Sequence, residues 1–257
     1  MNEQQVAQAA ARAAAEILIQ YSDGPCTVEH KGTVDLVTEL DRACEDAIRS
    51  VLHQHTPDIP VLGEENGGAE DLGTRWVVDP VDGTTNLVHG FPYYCVSIGL
   101  EVDGQPEVGV ILDVPRGVVY AGTRGRGSTA NDSPIHVSDC RSLDAALLGT
   151  GFAYDRRERA DTYLRPFRAF LVRARGVRRA GAAALDLAMV ASGSLDGFWE
   201  FNLKRWDCAA GRLLIEEAGG HFTELDGQPV GPDLIMNPLA TNGWLHEQML
   251  AIVEPHR

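Results

Sequence analysis

The stretch Asp79-Pro80-Val81-Asp82-Gly83-Thr84-Thr85-Asn86 is the densest run of chemically useful residues in the chain. Asp79 and Asp82 flank a proline that removes a backbone donor and blocks helical continuation. Two carboxylates on one such turn can converge on a hard cation, with the carbonyl of Val81 between them as a further oxygen ligand. Mg²⁺ takes oxygen donors and usually keeps only one or two carboxylates, filling its shell with water and substrate phosphate. Gly83-Thr84-Thr85 comes next, where the chain enters a helix. Exposed N–H groups at a helix start bind anions, and Gly83 lets a phosphate approach the backbone. Cation ligands beside an anion cradle are what metal-assisted phosphate chemistry needs. Taken alone, the same stretch also reads as a turn and a helix cap.

Four other acidic positions have local readings of their own. Gly63-Glu64-Glu65 follows the apolar Val61-Leu62 and reads as a solvated charge pair after a strand. Trp206-Asp207-Cys208-Ala209-Ala210-Gly211 places Asp207 at the head of a small-residue helix, where an N-cap is its local role. Asp41 lies three residues after Thr38 and suits the acid of a capping box, a role compatible with catalysis. Lys31 and Asp35 suit a surface salt bridge.

The elements that must position these groups follow from periodicity. Val6, Ala9, Ala10, Ala13, Ala14, Ile17 and Leu18 recur at helical spacing, and a second amphipathic helix is expected from about Glu39 to Gln54, capped by Thr38. The pattern then changes to strands. Trp76–Val78 is short and apolar, and Tyr94–Val102 with Val108–Leu112 flanks the turn dipeptide Asp103-Gly104 as a hairpin. Val118–Ala121 continues the meander, and Gly122–Ser133 reads as a loop. In the second half, strands are expected at Ala146–Thr150 and Phe198–Phe201. Helices are expected at Arg156–Arg175, Ala182–Ala191, Asp207–Ala218 and Asn242–Val253. Separate runs of strands and helices indicate a layered α+β protein rather than strict βαβ alternation.

Composition sets the frame. A chain of 257 residues, 44% hydrophobic and 23% charged, is long enough for a sizeable core and is neither disordered nor fibrous. Its net charge of −15 disfavours a broad grip on nucleic acid or anionic membrane. No apolar run exceeds five residues, so no membrane span is expected. The first twenty residues lack a basic start and a long apolar stretch, so no secretory leader is expected. Five widely spaced cysteines (Cys26, Cys44, Cys95, Cys140 and Cys208) without a C-x-x-C suit buried thiols in a reducing cytoplasm.

In this order the pieces resemble the inositol monophosphatase family of Mg²⁺-dependent sugar and polyol phosphatases. The matching residues are Val34–Thr38 with Asp41, Gly63-Glu64-Glu65, Trp76–Asn86 and Val88–Pro92. They continue through Arg178–Gly181, Ala183–Leu187, Asp196–Glu200, Trp206–Gly211 and Glu217–Gly220, so the resemblance covers nearly the whole chain. It implies an αβαβα sandwich with two β-sheets, one unit of two lobes meeting near residues 136–144. It implies two Mg²⁺ per site, one held by Glu64, Asp79 and the Val81 carbonyl and one by Asp79, Asp82 and Asp207, with a weaker third at Glu64. Gly83, Thr84 and Thr85 would meet the phosphate, Thr84 and Asp41 would orient and deprotonate a water, and Ala183 and Glu200 would face the polyol. The implied reaction is hydrolysis of inositol monophosphate or a similar polyol phosphate, without a phosphoenzyme. Histidinol phosphate and fructose bisphosphate are alternative substrates for the same chemistry. Leu87 stands where an aromatic is usual and Ala182 where Ser or Thr is common. These departures bear on packing and on the preferred sugar.

The acidity is uneven. Residues 156–179 carry nine arginines and two acids, a charge of +7 that leaves −22 for the remainder. This segment reads as a solvated face, a patch steering anionic substrate, or an interface for a subunit or protein partner. The resemblance implies a homodimer, and some bacterial members also bind the transcription machinery. A second class of function is therefore an interaction protein with a secondary phosphatase site.

Overall fold

Val6, Ala10, Ala14 and Leu18 form one fully buried face of helix α1 (Glu3–Ser22), as their spacing requires. The structure is a computed structural model that describes residues 1–22, 33–68 and 73–253, with side chains described for all of these but 22 and 33–38. Cys26 and Lys31, and the side chains of Asp35 and Thr38, lie outside the described residues. Helix α2 spans Thr33–His55, beginning well before the expected start. Thr38 is therefore inside the helix and cannot be its N-cap, and Asp41 is not the acid of a capping box. From the buried face of Cys44, Ile48 and Leu52 the helical backbone runs back past the polar residues that looked like a start.

The chain then builds an eight-stranded sheet from β1 (Val61–Gly63), β2 (Gly67–Gly68), β3 (Thr74–Asp82), β4 (Cys95–Val102), β5 (Gln105–Asp113), β6 (Val118–Thr123), β7 (Ser128–Ala130) and β8 (Ser133–Ile135). Short helix α3 (Thr84–Val88) follows β3. The strand order is β2-β1-β3-β4-β5-β6-β7-β8, all antiparallel except the β1–β3 pair. Asp103 and Gly104, both at positive φ, turn β4 into β5 as the dipeptide predicts. The expected loop at Gly122–Ser133 instead contains β7 and the start of β8. These strands are only three residues long, too short to show alternation, and pairing in sequence along the sheet edge defines them.

The second half supplies β9 (Leu147–Thr150), α4 (Ala160–Leu171), β10 (Gly176–Arg178), α5 (Ala183–Ala191), β11 (Gly197–Trp199), β12 (Leu203–Lys204), α6 (Arg205–Glu217), β13 (His221–Glu224), β14 (Ile235–Met236), β15 (Pro238–Thr241) and α7 (His246–Val253). Five strands form a mixed sheet in the order β10-β9-β11-β15-β13, and β12 pairs with β14. The long helix expected over Arg156–Arg175 is shorter. A 3-10 turn precedes it at Tyr154–Arg157, and its last residues feed β10.

Among the described residues, three large apolar cores stack between the layers, with a smaller cluster of Leu62, Val77 and Ala209. α1 and α2 pack on one face of the large sheet around Trp76, Val96 and Ile98. α5 and α6 lie between the two sheets, with Leu185, Leu187, Leu214 and Phe198 in contact. α4 and α7 cover the outer face of the smaller sheet around Phe170 and Trp199. Each fully buried Leu, Ile or Phe contributes about 1.5–3 kcal/mol of transfer free energy. The result is the αβαβα order that the resemblance implies. The central helices approach closely because α6 presents Ala209 and Ala210 to Gly99 and Gly109, where a Cβ on Gly109 would lie 2.6 Å from the Ala210 carbonyl oxygen. Among the described residues, no helix is long and apolar enough to cross a membrane.

Candidate active site

The β1–β3 pair is parallel, with Gly63 opposite Val78, and the Glu64 amide donates to the Val78 carbonyl at 3.2 Å. That register brings Glu64 beside Asp79, and their carboxyls share a hydrogen bond. The Asp79–Asp82 motif is not a turn beyond a strand end, as its proline and glycine suggested. It is the end of β3 itself, broken by a bulge. Asp79 pairs with Ser97 and Asp82 with Cys95, so three steps on β3 match two on β4. In a regular strand, residues three apart point to opposite faces. The extra residue returns Asp82 to the side of Asp79. Pro80 has no N–H to lose there, and the Val81 amide is taken by Asp79 Oδ1 at 3.0 Å.

Gly83 ends the strand at φ +93, and a Cβ there would press on the Tyr93 carbonyl at 2.9 Å, so only glycine fits. The Thr84 hydroxyl donates to the Val81 carbonyl at 2.9 Å. Asp82 reaches across to the second half of the chain. Its Oδ2 accepts the Ala184 amide at 2.7 Å, and the Ala183 and Leu185 amides at the N-terminus of α5 also face it. Asp207 arrives from the other central helix. It is not the N-cap but the third residue of α6, where Oδ2 accepts the Lys204 amide at 2.7 Å and the carboxyl meets Asp79.

These carboxyls repel one another. Asp79 is 2% exposed and is pushed far above the usual carboxylate range by burial and by Glu64, Asp82 and Asp207. Loss of surrounding water, then Glu65, Asp82 and Glu45, raises Glu64 to about 7 against the pull of its hydrogen bond to Asp79. Burial raises Asp82 to about 6, restrained by the α5 amides. Burial and Asp82 raise Asp207. Asp41 is 8% exposed, its Oδ1 has no hydrogen-bond partner, and burial with Glu65 and Glu64 raises it to about 7.

A cleft of about 500 Å³ joins these groups to the second half of the chain. Glu64, Asp79, Val81, Asp82, Gly83, Thr84, Thr85, Ala183, Glu200 and Asp207 all line it. Asp41 does not, and stands behind Glu64 and Glu65. Glu200, 8% exposed, is held high by burial and by Asp186, Asp207 and Asp82, with Arg179 opposing. Ala183 is in the wall with its amide turned toward Asp82.

The donor set fits a hard cation. Every donor is oxygen, and no ion pair between these acids and a Lys or Arg is found among the described residues beyond the long Arg42–Glu65 contact at 3.9 Å. Carboxyls in contact without a cation must keep protons or gain one. Among the described residues, no three acid, His or Cys side chains are already gathered around a single metal position. The carboxyls pair instead, Glu64 with Asp79 and Asp79 with Asp207. A divalent ion would replace those shared protons.

Sequence reasoning missed part of the wall. Asp186 lines the cleft at 2% exposure, accepts the Tyr93 hydroxyl at 2.6 Å and is raised by burial to about 8. The available signal was a lone acid in the otherwise apolar run Ala182–Ala191. Tyr154, Arg156, Arg179 and Lys204 also line the cleft, and Tyr154 is 92% exposed at its mouth. Arg156 and Arg179 are the two ends of the basic segment read as a patch for steering anionic substrate, whereas nothing local in the sequence marks Tyr154 or Lys204.

Comparison with known proteins agrees with this architecture. A sequence profile of the inositol monophosphatase family matches residues 2–257. The chain is 43% identical over 230 residues to the Nus factor SuhB of Pseudomonas aeruginosa, covering 86% of this chain and 85% of that one. It is 43% identical over 226 residues to the inositol-1-monophosphatase of Synechocystis, covering 86% and 78%. The solved inositol monophosphatase of Anabaena (Nostoc) superposes with a TM-score of 0.89 at 40% identity, covering 98% of this chain and 95% of that one. The chain belongs to the inositol monophosphatase family.

Proposed function

We propose that this member of the inositol monophosphatase family is a Mg²⁺-dependent phosphomonoesterase that acts on inositol monophosphate or a similar polyol phosphate. The observation that carries the reading is the convergence of Glu64, the β3 pair Asp79 and Asp82, and Asp207 from three segments on one cleft, with like charges facing each other.

Glu64, Asp79 and the Val81 carbonyl would hold one ion; Asp79, Asp82 and Asp207 would hold a second; Glu64 with water would hold a weaker third. Bound Mg²⁺ supplies positive charge that favours ionisation of water and offsets charge on the attacking and leaving oxygens. The protein groups do the positioning. The amides of Gly83, Thr84 and Thr85 bind the phosphate oxygens. Thr84 can accept from the attacking water because its own proton is committed to Val81. Asp41, behind the cleft wall with a bare Oδ1 and an affinity for protons near neutrality, would take the proton released by that water through an intervening water. A water oxygen–phosphorus bond forms, the ester phosphorus–oxygen bond breaks, and the alkoxide leaves with a proton from solvent. Glu200 accepts hydroxyl protons of the polyol against the Ala183 wall.

Purified protein with Mg²⁺, offered inositol 1-phosphate, histidinol phosphate and fructose bisphosphate, should release phosphate fastest from the first. Release from none of them would overturn the enzyme reading.

One observation favours a second role. Of the nine arginines in 156–179, only Arg159 has an acidic ion-pair partner among the described residues, Asp155 at 3.4 Å. A relative is named as a Nus factor. In this reading the arginine face binds a protein partner of transcription. Replacing Arg165, Arg168 and Arg173 with Ser should then abolish retention of purified RNA polymerase and leave turnover unchanged. The chain is also read as a homodimer, which light scattering would show as twice the 27.8 kDa chain mass.

A further inference from the structure

Glu45 and Arg49 lie one and two turns along α2 from Asp41, and the chemistry above uses neither. Glu45 is fully buried. Its Oε2 accepts the Glu65 amide at 2.7 Å, and both its oxygens approach the Asn66 amide, at 3.3 and 3.4 Å. Its Oε1 also accepts Arg49 Nε at 2.7 Å. Arg49 then donates to the Val61 carbonyl at 3.3 Å and to the Gly67 carbonyl at 2.5 Å. The segment 61–67 is thus held at both ends by one guanidinium and in the middle by one carboxylate. Gly63 completes the fit, because a Cβ there would overlap the Glu45 carboxylate. Glu64 alone in the centre escapes this grip. Its amide goes to Val78, and its side chain faces Asp79 and the cleft.

An apolar side chain would fill this space without the desolvation cost of a buried carboxylate. What the carboxylate adds is direction, since it fixes two successive amides and so the path of the chain through Glu64. We infer that Glu45, oriented by Arg49, is a positioning residue for Glu64, and that the glycine of Gly63-Glu64-Glu65 is there to admit it. One helix face, Asp41 to Glu45 to Arg49, then serves both the proton acceptor and the loop beside it.

The inference rests on Glu64 as a metal ligand, so its test reads metal binding and loop order without substrate. Glu45→Gln keeps the shape but turns an amide NH₂ toward N–H donors, and Gly63→Ala displaces the same carboxylate from the other side. In both, Mn²⁺ affinity measured by calorimetry should fall about 10–100-fold. Amide exchange at Glu65 and Asn66 should quicken while circular dichroism stays unchanged. In turnover, the Mg²⁺ needed for half-activity should rise, with little change in the KM for the ester at saturating Mg²⁺. Folded variants with wild-type Mn²⁺ affinity, or with affinity falling only as the folded fraction falls, would overturn the inference. Should Glu45→Gln fail to fold, Arg49→Lys carries the same readouts. A wild-type protein that binds no Mn²⁺ would sink the metal reading of Glu64, and amide exchange would still report whether Glu45 holds the loop.

Discussion

Arg205 and Asp207 stand two residues apart in the first turn of α6 and meet opposite surroundings. Arg205 is 1% exposed and donates through Nε to both oxygens of Glu101 at 2.8 Å. Its remaining donors reach the carbonyls of Gly104, Gly231 and Asp233. Arg75, equally buried, meets the same Glu101 at 3.2 Å. Asp207 faces Asp79 and Asp82, and among the described residues no Lys or Arg forms an ion pair with it. Buried charge that is fully paired fixes where α6 docks on the large sheet. Charge opposed by like charge keeps an unmet demand that a ligand can meet. Burial alone would score both clusters alike, as charged side chains out of water. The identity of the partner separates scaffold from site.

This contrast can be broken in graded steps. Asp79→Asn should lower phosphate release at least ~1000-fold, about 4 kcal/mol of transition-state stabilisation. Without metal it should also raise the melting temperature, because it removes repulsion. A melting temperature that fell would place Asp79 with the scaffold. Glu101→Gln should do the reverse, costing ~3 kcal/mol in urea unfolding as two buried guanidinium groups lose their partner, with near-normal turnover in the folded fraction. Gly151→Ala tests the far wall. A Cβ there would overlap the Glu200 carboxylate, so the KM for a polyol phosphate should rise ~10-fold, about 1.4 kcal/mol, while Mn²⁺ binding stays the same.

The smallest effect concerns Asp186 and depends on pH. Its folded value of about 8 lies above the ordinary 3.8 of a free aspartate, so the folded state binds this proton more tightly than the unfolded one. The contribution to stability is fully present below the unfolded value and is lost as pH rises toward 8. Asp186→Asn, which can still accept the Tyr93 hydroxyl, should therefore stabilise the protein by a margin that grows from pH 4 to pH 8. A margin independent of pH would show that Asp186 is charged in the folded protein.

Much of this was legible without coordinates, and the exceptions have a common cause. The motifs holding Glu64, Asp79 and Asp82 announce themselves through turn-forming neighbours and that of Asp207 through the small-residue helix it heads, and α1 and the β4–β5 hairpin follow from local patterning. Errors arose where a local signal had a distant competitor. Thr38 resembles a cap, but α2 begins at Thr33 and runs through it. Pro80 and Gly83 resemble a turn, but pairing with β4 carries β3 to Asp82. The partners of Arg205, Glu45 and Asp186 could not be read at all. Arg205 meets Glu101 across 104 residues, Glu45 meets Glu65 across 20, and Tyr93 meets Asp186 across 93. Such pairings depend on topology that no spacing rule contains.

The bulge between Asp79 and Asp82 also makes this stretch a spacer of fixed length. Loss or gain of one residue between the two aspartates would swing Asp82 to the opposite face of the sheet, away from the α5 amides that now receive it. Substitution at Val81 leaves the backbone carbonyl in place, whereas deletion at Val81 does not. Insertion and deletion scanning should therefore find an interval at 79–82 that tolerates no change of length, even where substitution of Val81 survives.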